Sequence, residues 1–445
     1  MDKTHDKYDV IIIGGGPSGA VAGRALALRG KRVLILEKTS HPRFHIGESF
    51  LPQALTLIDE LGLMEQFRAL PHVVKWGAEF GFGYNDDDET SRFHFRDMLH
   101  DGPRETFNIE RAPFDAMLLR GAAEAGALVQ EGVRVDEVLR LADGDVAVRC
   151  GNQTFTGRWL LDASGQATVL GRHLGTRSVV TSLENVAYFG HFTGVQRLRG
   201  EEEGHPTIVM CDEGWFWMIP INPVVTSCGM VLNRHVAKRV DRPADQMLRW
   251  GIERCPLIRR RTAAATFPAR NGVIADFTYR CEPYAGPGYF LIGDAATFID
   301  PIFSTGACIG MMHGKEVADL IAAVDAGRLS AAAARRRYIR YVRGSSKLVF
   351  RLVHHYYRHS FRELLMNARG PLQMHKAVIS LLAGHVFPRP RRSLVWRFWA
   401  FEACVWFQKW RQLAPRYRPF SLLAQPDPAP DLSPASVQAE PATAG

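Results

Sequence analysis

The fold of this 445-residue chain is decided by Tyr-Asp-Val-Ile-Ile-Ile-Gly-Gly-Gly-Pro-Ser-Gly at residues 8–19. Six residues typical of a buried strand run directly into Gly14, Gly16 and Gly19, which have the spacing G-x-G-x-x-G, and a helical segment follows. Glycines at these positions permit a tight turn and let the backbone approach a pyrophosphate at the helix N-terminus. The pattern therefore indicates a dinucleotide site at the first strand-to-helix turn.

A second strand and an acidic residue complete this unit. The strand Arg-Val-Leu-Ile-Leu at 32–36 is followed by Glu37, whose carboxylate can accept hydrogen bonds from ribose hydroxyls. The same pattern returns much later at Tyr-Phe-Leu-Ile-Gly-Asp, where a further strand ends at Gly293 and Asp294. The sequence thus predicts an α/β protein with a Rossmann-type sheet and one dinucleotide fingerprint.

The pattern changes between these two parts. From about residue 185 to 270, alternating runs such as Gly-Trp-Phe-Trp-Met-Ile-Pro indicate an antiparallel sheet inserted into the α/β domain. Beyond 330 the chain is helical and basic, and its end has the Pro, Ala, Ser and Asp content typical of disorder. The predicted organisation is a dinucleotide-binding domain at 1–184 and 276–330, an antiparallel-sheet substrate domain at 185–275, a helical basic C-terminal region at 331–424 and a disordered tail at 425–445.

The net charge of +9 is unevenly distributed. Residues 331–420 contain 19 Lys and Arg against two Glu, a regional charge of +17, whereas residues 1–330 sum to −5. Such a region must face water or an acidic partner. No nucleic-acid-binding module is recognisable, so nucleic acid is not expected as a partner. An acidic protein, an anionic membrane surface and a solvated helical face all remain compatible with the residues alone.

The seven cysteines are scattered and form no C-x-x-C spacing, so we expect neither a disulfide framework nor a metal site. The N-terminal residues lack an apolar signal core, and the longest aromatic stretch, 395–407, is interrupted by Arg397 and Glu402. We therefore expect a cytoplasmic protein, with peripheral membrane contact as an option.

Two features resemble the FAD-dependent monooxygenases, whose FAD-binding domain has the glutathione-reductase-like fold. Gly293-Asp294 matches the late Gly-Asp that holds the ribityl and ribose side of FAD in that family, and Arg111 matches an arginine that lies along the cofactor. The resemblance implies FAD rather than NAD. The cofactor-binding residues that it implies, together with the fingerprint, are Gly14, Gly16, Gly19, Glu37, Arg43, Arg111 and Asp294.

Three motifs narrow the resemblance to the flavin-dependent halogenases. Pro-Arg-Phe-His-Ile-Gly-Glu-Ser at 42–49 is similar to their segment after the ribose-binding glutamate, Trp-Phe-Trp-Met-Ile-Pro at 215–220 matches their W-x-W-x-I-P motif, and Asp-Pro-Ile-Phe-Ser-Thr-Gly at 300–306 resembles their halide loop. Strand alternation puts Trp215 and Trp217 on one face. The resemblance implies that this pair is a wall between substrate and flavin.

The halide loop precedes a helix, so its backbone N–H groups and the helix dipole suit an anion, although a plain helix cap would have the same sequence. The resemblance assigns Thr305 and Gly306 to chloride or bromide. Tryptophan halogenases carry a glutamate where this chain has Phe303. Without that base, an electron-rich phenol or pyrrole is a better substrate than free tryptophan. The resemblance implies that Phe303 belongs, with Trp215 and Trp217, to the wall and tunnel between flavin and substrate.

Lys75 lies in Val-Val-Lys-Trp-Gly-Ala-Glu-Phe, an apolar and strand-like setting that is unusual for an ammonium group. Most such lysines extend to solvent. The position, however, resembles the halogenase lysine that meets hypohalous acid at the end of a tunnel from the flavin. The resemblance therefore implies Lys75 as the catalytic residue, which orients or carries the electrophilic halogen, and burial would lower its pKa.

The resemblance also implies the remaining partners. Reduced FAD, O2 and chloride or bromide would be consumed, and a separate flavin reductase would supply the electrons because a second dinucleotide fingerprint is not present. Halogenases without the glutamate resemble those that act on carrier-tethered tyrosyl, pyrrolyl or phenolic groups, so an acidic acyl carrier protein is expected to dock on residues 331–420. The alternative activities of the same fold are aromatic hydroxylation and polyprenyl-type reduction.

Overall fold

The computed structural model describes residues 7–84, 90–268, 271–275, 278–367, 371–387 and 389–426, so nearly all of the predicted tail at 425–445 lies outside the described residues. The strands are β1 (Tyr8–Ile13), β2 (Val33–Glu37), β3 (His72–Lys75), β4 (Gly77–Phe82), β5 (Thr90–His94), β6 (Thr106–Ile109), β7 (Leu128–Glu131), β8 (Glu137–Ala142), β9 (Asp145–Cys150), β10 (Gln153–Asp162), β11 (Arg177–Val179), β12 (Asn185–Thr193), β13 (Thr207–Cys211), β14 (Gly214–Pro220), β15 (Val225–Asn233), β16 (Gly272–Ala275), β17 (Tyr279–Cys281), β18 (Ala285–Gly286), β19 (Tyr289–Leu291) and β20 (Thr297–Phe298). The helices are α1 (Pro17–Ala27), α2 (Gln53–Glu60), α3 (Met64–Arg68), α4 (Arg111–Glu124), α5 (Val169–His173), α6 (Arg234–Arg239), α7 (Met247–Arg254), α8 (Pro256–Arg261), α9 (Gly306–Asp325), α10 (Ala331–Tyr356), α11 (His359–Met366), α12 (Met374–Leu382) and α13 (Arg392–Phe407).

The first sheet is the α/β sheet that the glycine-rich turn predicts. Its parallel strands follow the order β19-β10-β1-β2-β7, and β18, β8 and β9 extend it by antiparallel pairing. The central β1 pairs with β10 and β2, so its apolar residues 10–13 are buried. Burial on both faces explains why this strand is a continuous apolar run rather than an alternating one. The predicted fold class is confirmed.

The second sheet has seven strands in the order β16-β12-β15-β14-β13-β4-β5. The segment predicted for it, 185–275, supplies five of these strands, but β4 and β5 come from residues 77–94, far earlier in the chain. β4 pairs with β13 in parallel, so the sheet is mixed rather than wholly antiparallel. Pairing across more than a hundred residues leaves no local signal, which is why the sequence did not indicate it.

The C-terminal helices α10–α13 cover one face of the second sheet. Val353, Phe398 and Phe401 share an apolar core with Trp215 and Trp217 of β14. None of the helices in the described part of the chain has both the length and the hydropathy needed to cross a membrane.

Helix α10 is also bound electrostatically to the acidic body of the protein. Arg335 pairs with Asp143, Arg337 Nε lies 3.4 Å from Glu316 Oε1, and Arg343 Nη2 lies 2.8 Å from Glu282 Oε2, so that three of its basic side chains are paired within the chain. The regional charge of +17 therefore overstates the charge that is free for a partner.

Helices α1 and α9 approach each other closely, and this contact positions the site. Gly314 of α9 lies against the backbone of Ser18, and a Cβ added at Gly314 would lie 2.5 Å from the Ser18 carbonyl oxygen. Gly310 lies one turn earlier, against the side chain of Ser18 and the backbone of Gly293. Because α1 begins at the glycine-rich turn and α9 begins at the predicted halide loop, this packing sets the position of one relative to the other.

We expect Gly314→Ala to separate these helices and to lower the free energy of unfolding by about 1–3 kcal/mol. The new Cβ would meet the backbone of Ser18, which cannot rotate aside as a side chain can. Gly344→Ala in α10 is the matched control, since its added Cβ would meet nothing within 4 Å. Because alanine has a higher helix propensity than glycine, the control should leave the free energy of unfolding unchanged or raise it by up to about 1 kcal/mol. Urea denaturation of both variants measures this, and equal stability of the two would contradict the role of the contact.

Candidate functional site

The glycine-rich turn forms a cradle with no room for a side chain at two of its three fingerprint glycines. Gly14 has φ +102°, and a Cβ on Gly14 would overlap the carbonyl oxygen of Ala163. A Cβ on Gly19 would overlap the carbonyl oxygen of Gly14. Glu37 is buried at the end of β2, where its Oε2 accepts a hydrogen bond of 2.7 Å from the Gly15 N–H. Burial alone would raise the pKa of Glu37, but hydrogen bonds from Thr39 and Gly15 lower it below its usual value. Glu37 is therefore an ionised acceptor beside the turn.

A second group of predicted residues meets at the start of α9. Gly293, Asp294, Thr305 and Gly306 line the same small cavity. Burial raises the pKa of Asp294 to about 6, and the charge of Arg111 opposes this shift only in part. Gly293 also lies against Ser18 of α1, so the cavity is close to the helix that begins at the cradle. A backbone cradle with an acid at each end fits a dinucleotide such as FAD.

The two predicted arginines occupy different surroundings. A Cβ on Gly16 would lie 3.5 Å from Arg43 Nη2, so the Arg43 guanidinium stands over the glycine-rich turn, where a pyrophosphate would bind. Arg111 is buried, and its Nε and Nη2 donate to the carboxylate of Asp115 at 2.7 and 2.9 Å. Its Nη1 donates to the carbonyl of Ile46 at 2.9 Å. Arg111 therefore holds the 42–49 segment in place, and a cofactor contact for it stays a prediction.

The predicted halide loop is held by a buried network that the sequence did not indicate. Asp300 Oδ2 accepts hydrogen bonds from the Tyr357 hydroxyl at 2.6 Å and from Asn185 Nδ2 at 2.9 Å. Burial raises the pKa of Asp300, and hydrogen bonds from Tyr357 and the Ile302 N–H oppose the rise. Tyr357 follows α10, so the C-terminal region directly supports the loop that leads to Thr305.

The indole pair is oriented by the same network. Trp215 Nε1 donates to the Tyr357 hydroxyl at 3.2 Å, and the ring centroids of Trp215 and Trp217 are 5.6 Å apart. The Trp217 ring lies across Gly229 on the neighbouring strand. Both indoles and Phe303 belong to one apolar core, whereas Phe216 and Met218 belong to another. The predicted alternation of β14 is confirmed, and the separation of substrate from flavin by this wall stays a prediction.

Lys75 is buried at the end of β3, with only 4% of its surface exposed. Its Nζ donates to Ser49 Oγ at 2.8 Å and to the Phe50 carbonyl at 3.1 Å, and it lies 5.6 Å from the centre of the Phe95 ring. Burial lowers the pKa of Lys75 to about 7, and nearby Cys308 opposes the shift. In the neutral form of the amine these two acceptors can take both N–H bonds, so that the lone pair stays available.

The structure thus brings Lys75 to the first turns of α9, because Cys308 lies two residues after Gly306. Sequence reasoning missed the residues that hold this arrangement: Ser49 and the Phe50 carbonyl at Lys75, and Asp300, Asn185 and Tyr357 behind the loop. Ser49 and Asp300 stand inside two of the quoted motifs, which was the available signal. Asn185 and Tyr357 lie 115 and 57 residues from Asp300, so no local pattern links them.

The chain is similar to known flavin enzymes in both sequence and structure. Residues 7–340 match the family model for the FAD binding domain. The 1H-pyrrole-2-carbonyl-[peptidyl-carrier protein] brominase of Pseudoalteromonas luteoviolacea is 36% identical over 323 residues, which cover 71% of this chain and 77% of the brominase. This chain belongs to the flavin-dependent halogenases.

Other similarities agree with this family. The tryptophan 2-halogenase of Chondromyces crocatus is 31% identical over 345 residues, covering 75% of this chain and 65% of that protein. The solved structure of the flavin-dependent brominase Bmp2 superposes with a TM-score of 0.78 at 30% identity, over 89% of this chain and 99% of that one. The halogenase is an FAD enzyme, and the hydroxylase and reductase alternatives are not supported. Among the described residues, no three His, Cys, Asp or Glu side chains form a metal-binding group.

We expect Lys75→Met to stabilise the halogenase. The unfolded chain, in which the lysine pKa is about 10.5, binds more protons than the folded chain between pH 7 and 10.5, so the free energy of unfolding rises with pH across this window. Methionine removes this dependence and should add about 2–4 kcal/mol at pH 7. Urea denaturation at pH 7 and at pH 9.5 measures the effect. Lys347→Met, on the exposed side of α10, is the control and should keep the pH slope of the wild type. If Lys75→Met also keeps that slope, Lys75 is not a buried titrating amine.

Proposed function

We propose that this halogenase passes hypohalous acid to Lys75, which delivers the halogen to an electron-rich phenolic or pyrrolic ring. The observation that carries the proposal is the buried Lys75 amine, whose pKa of about 7 leaves a large neutral fraction at physiological pH. Its proximity to Cys308, two residues after Gly306, supports a short transfer from the halide site that we propose. Reduced FAD and O2 supply the oxidising equivalent for the halide.

Thr305 and Gly306 bind the chloride or bromide in this proposal. They stand at the N-terminus of a 20-residue helix, where unpaired backbone N–H groups favour an anion. Thr305 is buried, so that halide bound there is shielded from water. Asp300, Tyr357 and Asn185 act as positioning residues, because they fix the loop rather than touch the ion.

Lys75 then acts on the halogen. Its N–H bonds are held by Ser49 Oγ and the Phe50 carbonyl, which aims the amine lone pair away from these acceptors. The amine orients the hypohalous acid by hydrogen bonding, or it forms a haloamine and releases water. In either case the ring gains the halogen and loses a proton, and the oxygen leaves as water. Phe303, buried where a glutamate base would stand, favours a ring that needs no base.

We further propose that the substrate is tethered to an acidic carrier protein. The similar brominase acts on a pyrrole group bound to a peptidyl carrier protein. The basic region 331–420 of this chain would attract an acidic carrier. On α10, Arg336, Arg340 and Lys347 are exposed, lie on one face by helical spacing, and form no ion pair with a carboxylate of the described residues. We define these three as the α10 basic stripe and assign carrier docking to it.

Two further features belong to the proposal. Electrons come from a separate flavin reductase, since the chain has one dinucleotide fingerprint and that one fits FAD. The protein works in the cytoplasm, where a reducing environment suits the free cysteines at 150, 211, 228, 255, 281, 308 and 404.

Incubation with FAD, a flavin reductase, NADH, bromide and a phenolic or pyrrolic probe tests the reaction. We expect a brominated product by mass spectrometry. Lys75→Ala should lower its rate by about 10²–10⁴-fold, a range typical of a lost acid–base group, while flavin absorbance stays unchanged. Lys347→Ala is the matched control and should react at the wild-type rate with the free probe. Unchanged bromination by Lys75→Ala would overturn the role of the amine, and a product that gains oxygen instead would overturn halogenation.

Carrier docking is tested by comparing free and carrier-bound pyrrole acid at low and high salt. We expect Arg336→Glu/Arg340→Glu to raise KM for the carrier-bound acid at least tenfold and to leave free-acid turnover unchanged, because only docking uses these charges. High salt should weaken the wild type in the same way. Equal turnover of both acids, independent of salt, would contradict the assignment, and preference for free tryptophan would contradict the tethered substrate.

A further inference from the structure

Helix α13 is apolar on two opposite sides. Its inner side, with Leu394, Phe398, Phe401 and Val405, is buried in the core that contains Trp215. Its outer side and the residues just after it carry large apolar side chains that water reaches. We call this set the α13 aromatic face; with their exposed fractions, its members are Trp396 (41%), Trp399 (55%), Trp406 (55%), Phe407 (48%), Trp410 (74%) and Leu413 (53%).

The three tryptophans within the helix share one side of it, and the rings at its C-terminal end lie close to one another. The spacing of Trp396, Trp399 and Trp406 keeps them on one side of the helix. The centroid of the Trp406 ring lies 4.9 Å from that of Phe407 and 6.4 Å from that of Trp410. A domain seldom exposes a contiguous patch of indoles unless the patch binds something.

Positive charge borders this face at both ends. Exposed basic residues precede the helix or open it at Arg389, Arg391 and Arg392, and others follow it at Lys409, Arg411, Arg416 and Arg418. None of the seven pairs with a carboxylate in the part of the chain that the structure describes. The one acid of the helix, Glu402, is bound by Arg351 and by His355 Nε2, the latter at 2.9 Å. The face therefore presents apolar rings and positive charge without an uncompensated acid.

We propose that the α13 aromatic face seats the enzyme on an anionic membrane surface. Indoles favour the headgroup level of a bilayer, and flanking arginines and lysines reach the phosphates while their stems stay in apolar surroundings. Each basic residue near an anionic surface adds to the attraction. The helix is already folded against the core, so binding requires no ordering of the chain.

The other occupants fit this surface less well. A second copy of the chain would bring an equally basic face against it, and the two would repel each other. An acidic protein would match the charge, but tryptophans at protein interfaces fill pockets, whereas these stand in a row on a convex helix. The α13 aromatic face shares no residue with the α10 basic stripe, and the inference goes beyond the proposed function.

Sedimentation of the full-length, FAD-loaded protein with lipid vesicles tests the proposal. We expect binding to vesicles of phosphatidylglycerol and phosphatidylcholine in equal parts, little binding to pure phosphatidylcholine, release by high salt and a blue shift of tryptophan emission. Trp399→Ser/Trp406→Ser should weaken the partition at least tenfold and remove the blue shift.

A charge-matched pair separates a specific face from general basicity. Lys409→Glu/Arg411→Glu and Arg336→Glu/Arg340→Glu change the net charge equally, and only the first should weaken vesicle binding, by about tenfold or more. The proposal is overturned if the wild type does not bind anionic vesicles, or if both pairs lose binding equally. It is also overturned if the tryptophan variant converts a dimer to a monomer by light scattering, or lowers carrier-bound turnover. The proposed halogenation is tested separately by bromination of the free probe, so a failure of membrane binding does not affect that proposal.

Discussion

The site depends on one close contact, the packing of α9 on α1 through glycines. Gly310 and Gly314 let the helix backbone reach Ser18, and Gly293 meets the same serine. The cofactor cradle, the late Gly-Asp and the predicted halide loop therefore share one rigid junction. A helix pair with larger residues there would stand further apart, and the loop before α9 would no longer reach the cradle.

Lys75 shows how this junction changes the properties of a buried amine. The α9 turn, Phe95 and the Ser49 segment exclude water from the amine, which lowers its pKa to about 7. In solvent the same side chain would be an ammonium group without a free lone pair. Burial of this amine lowers the free energy of unfolding. The proposed chemistry explains why the buried lysine is present, because it needs a neutral amine at this position.

Charge is used in three separate ways by the C-terminal region. Some of it attaches the region to the acidic body, as the pairs of Arg335, Arg337 and Arg343 show. The α10 basic stripe and the borders of the α13 aromatic face carry exposed charge that pairs with no carboxylate of the described residues. The region is also part of the site, since Tyr357 reaches both Asp300 and Trp215. The C-terminal region thus supports the predicted halide loop, although it lies far from that loop in the sequence.

The sequence by itself determined what is local. Strand β1, the glycine turn and Glu37 follow one another within thirty residues, so the FAD fold could be predicted. The alternation of β14 is visible within its seven residues, so the face of the sheet on which Trp215 lies could be predicted as well. The tertiary structure alone decided what depends on distant pairing. It placed β4 and β5 beside β13, gave Lys75 its two acceptors, and joined Asp300 to Asn185 and Tyr357. Such contacts leave no periodic trace, because each partner belongs to a different element with its own local pattern.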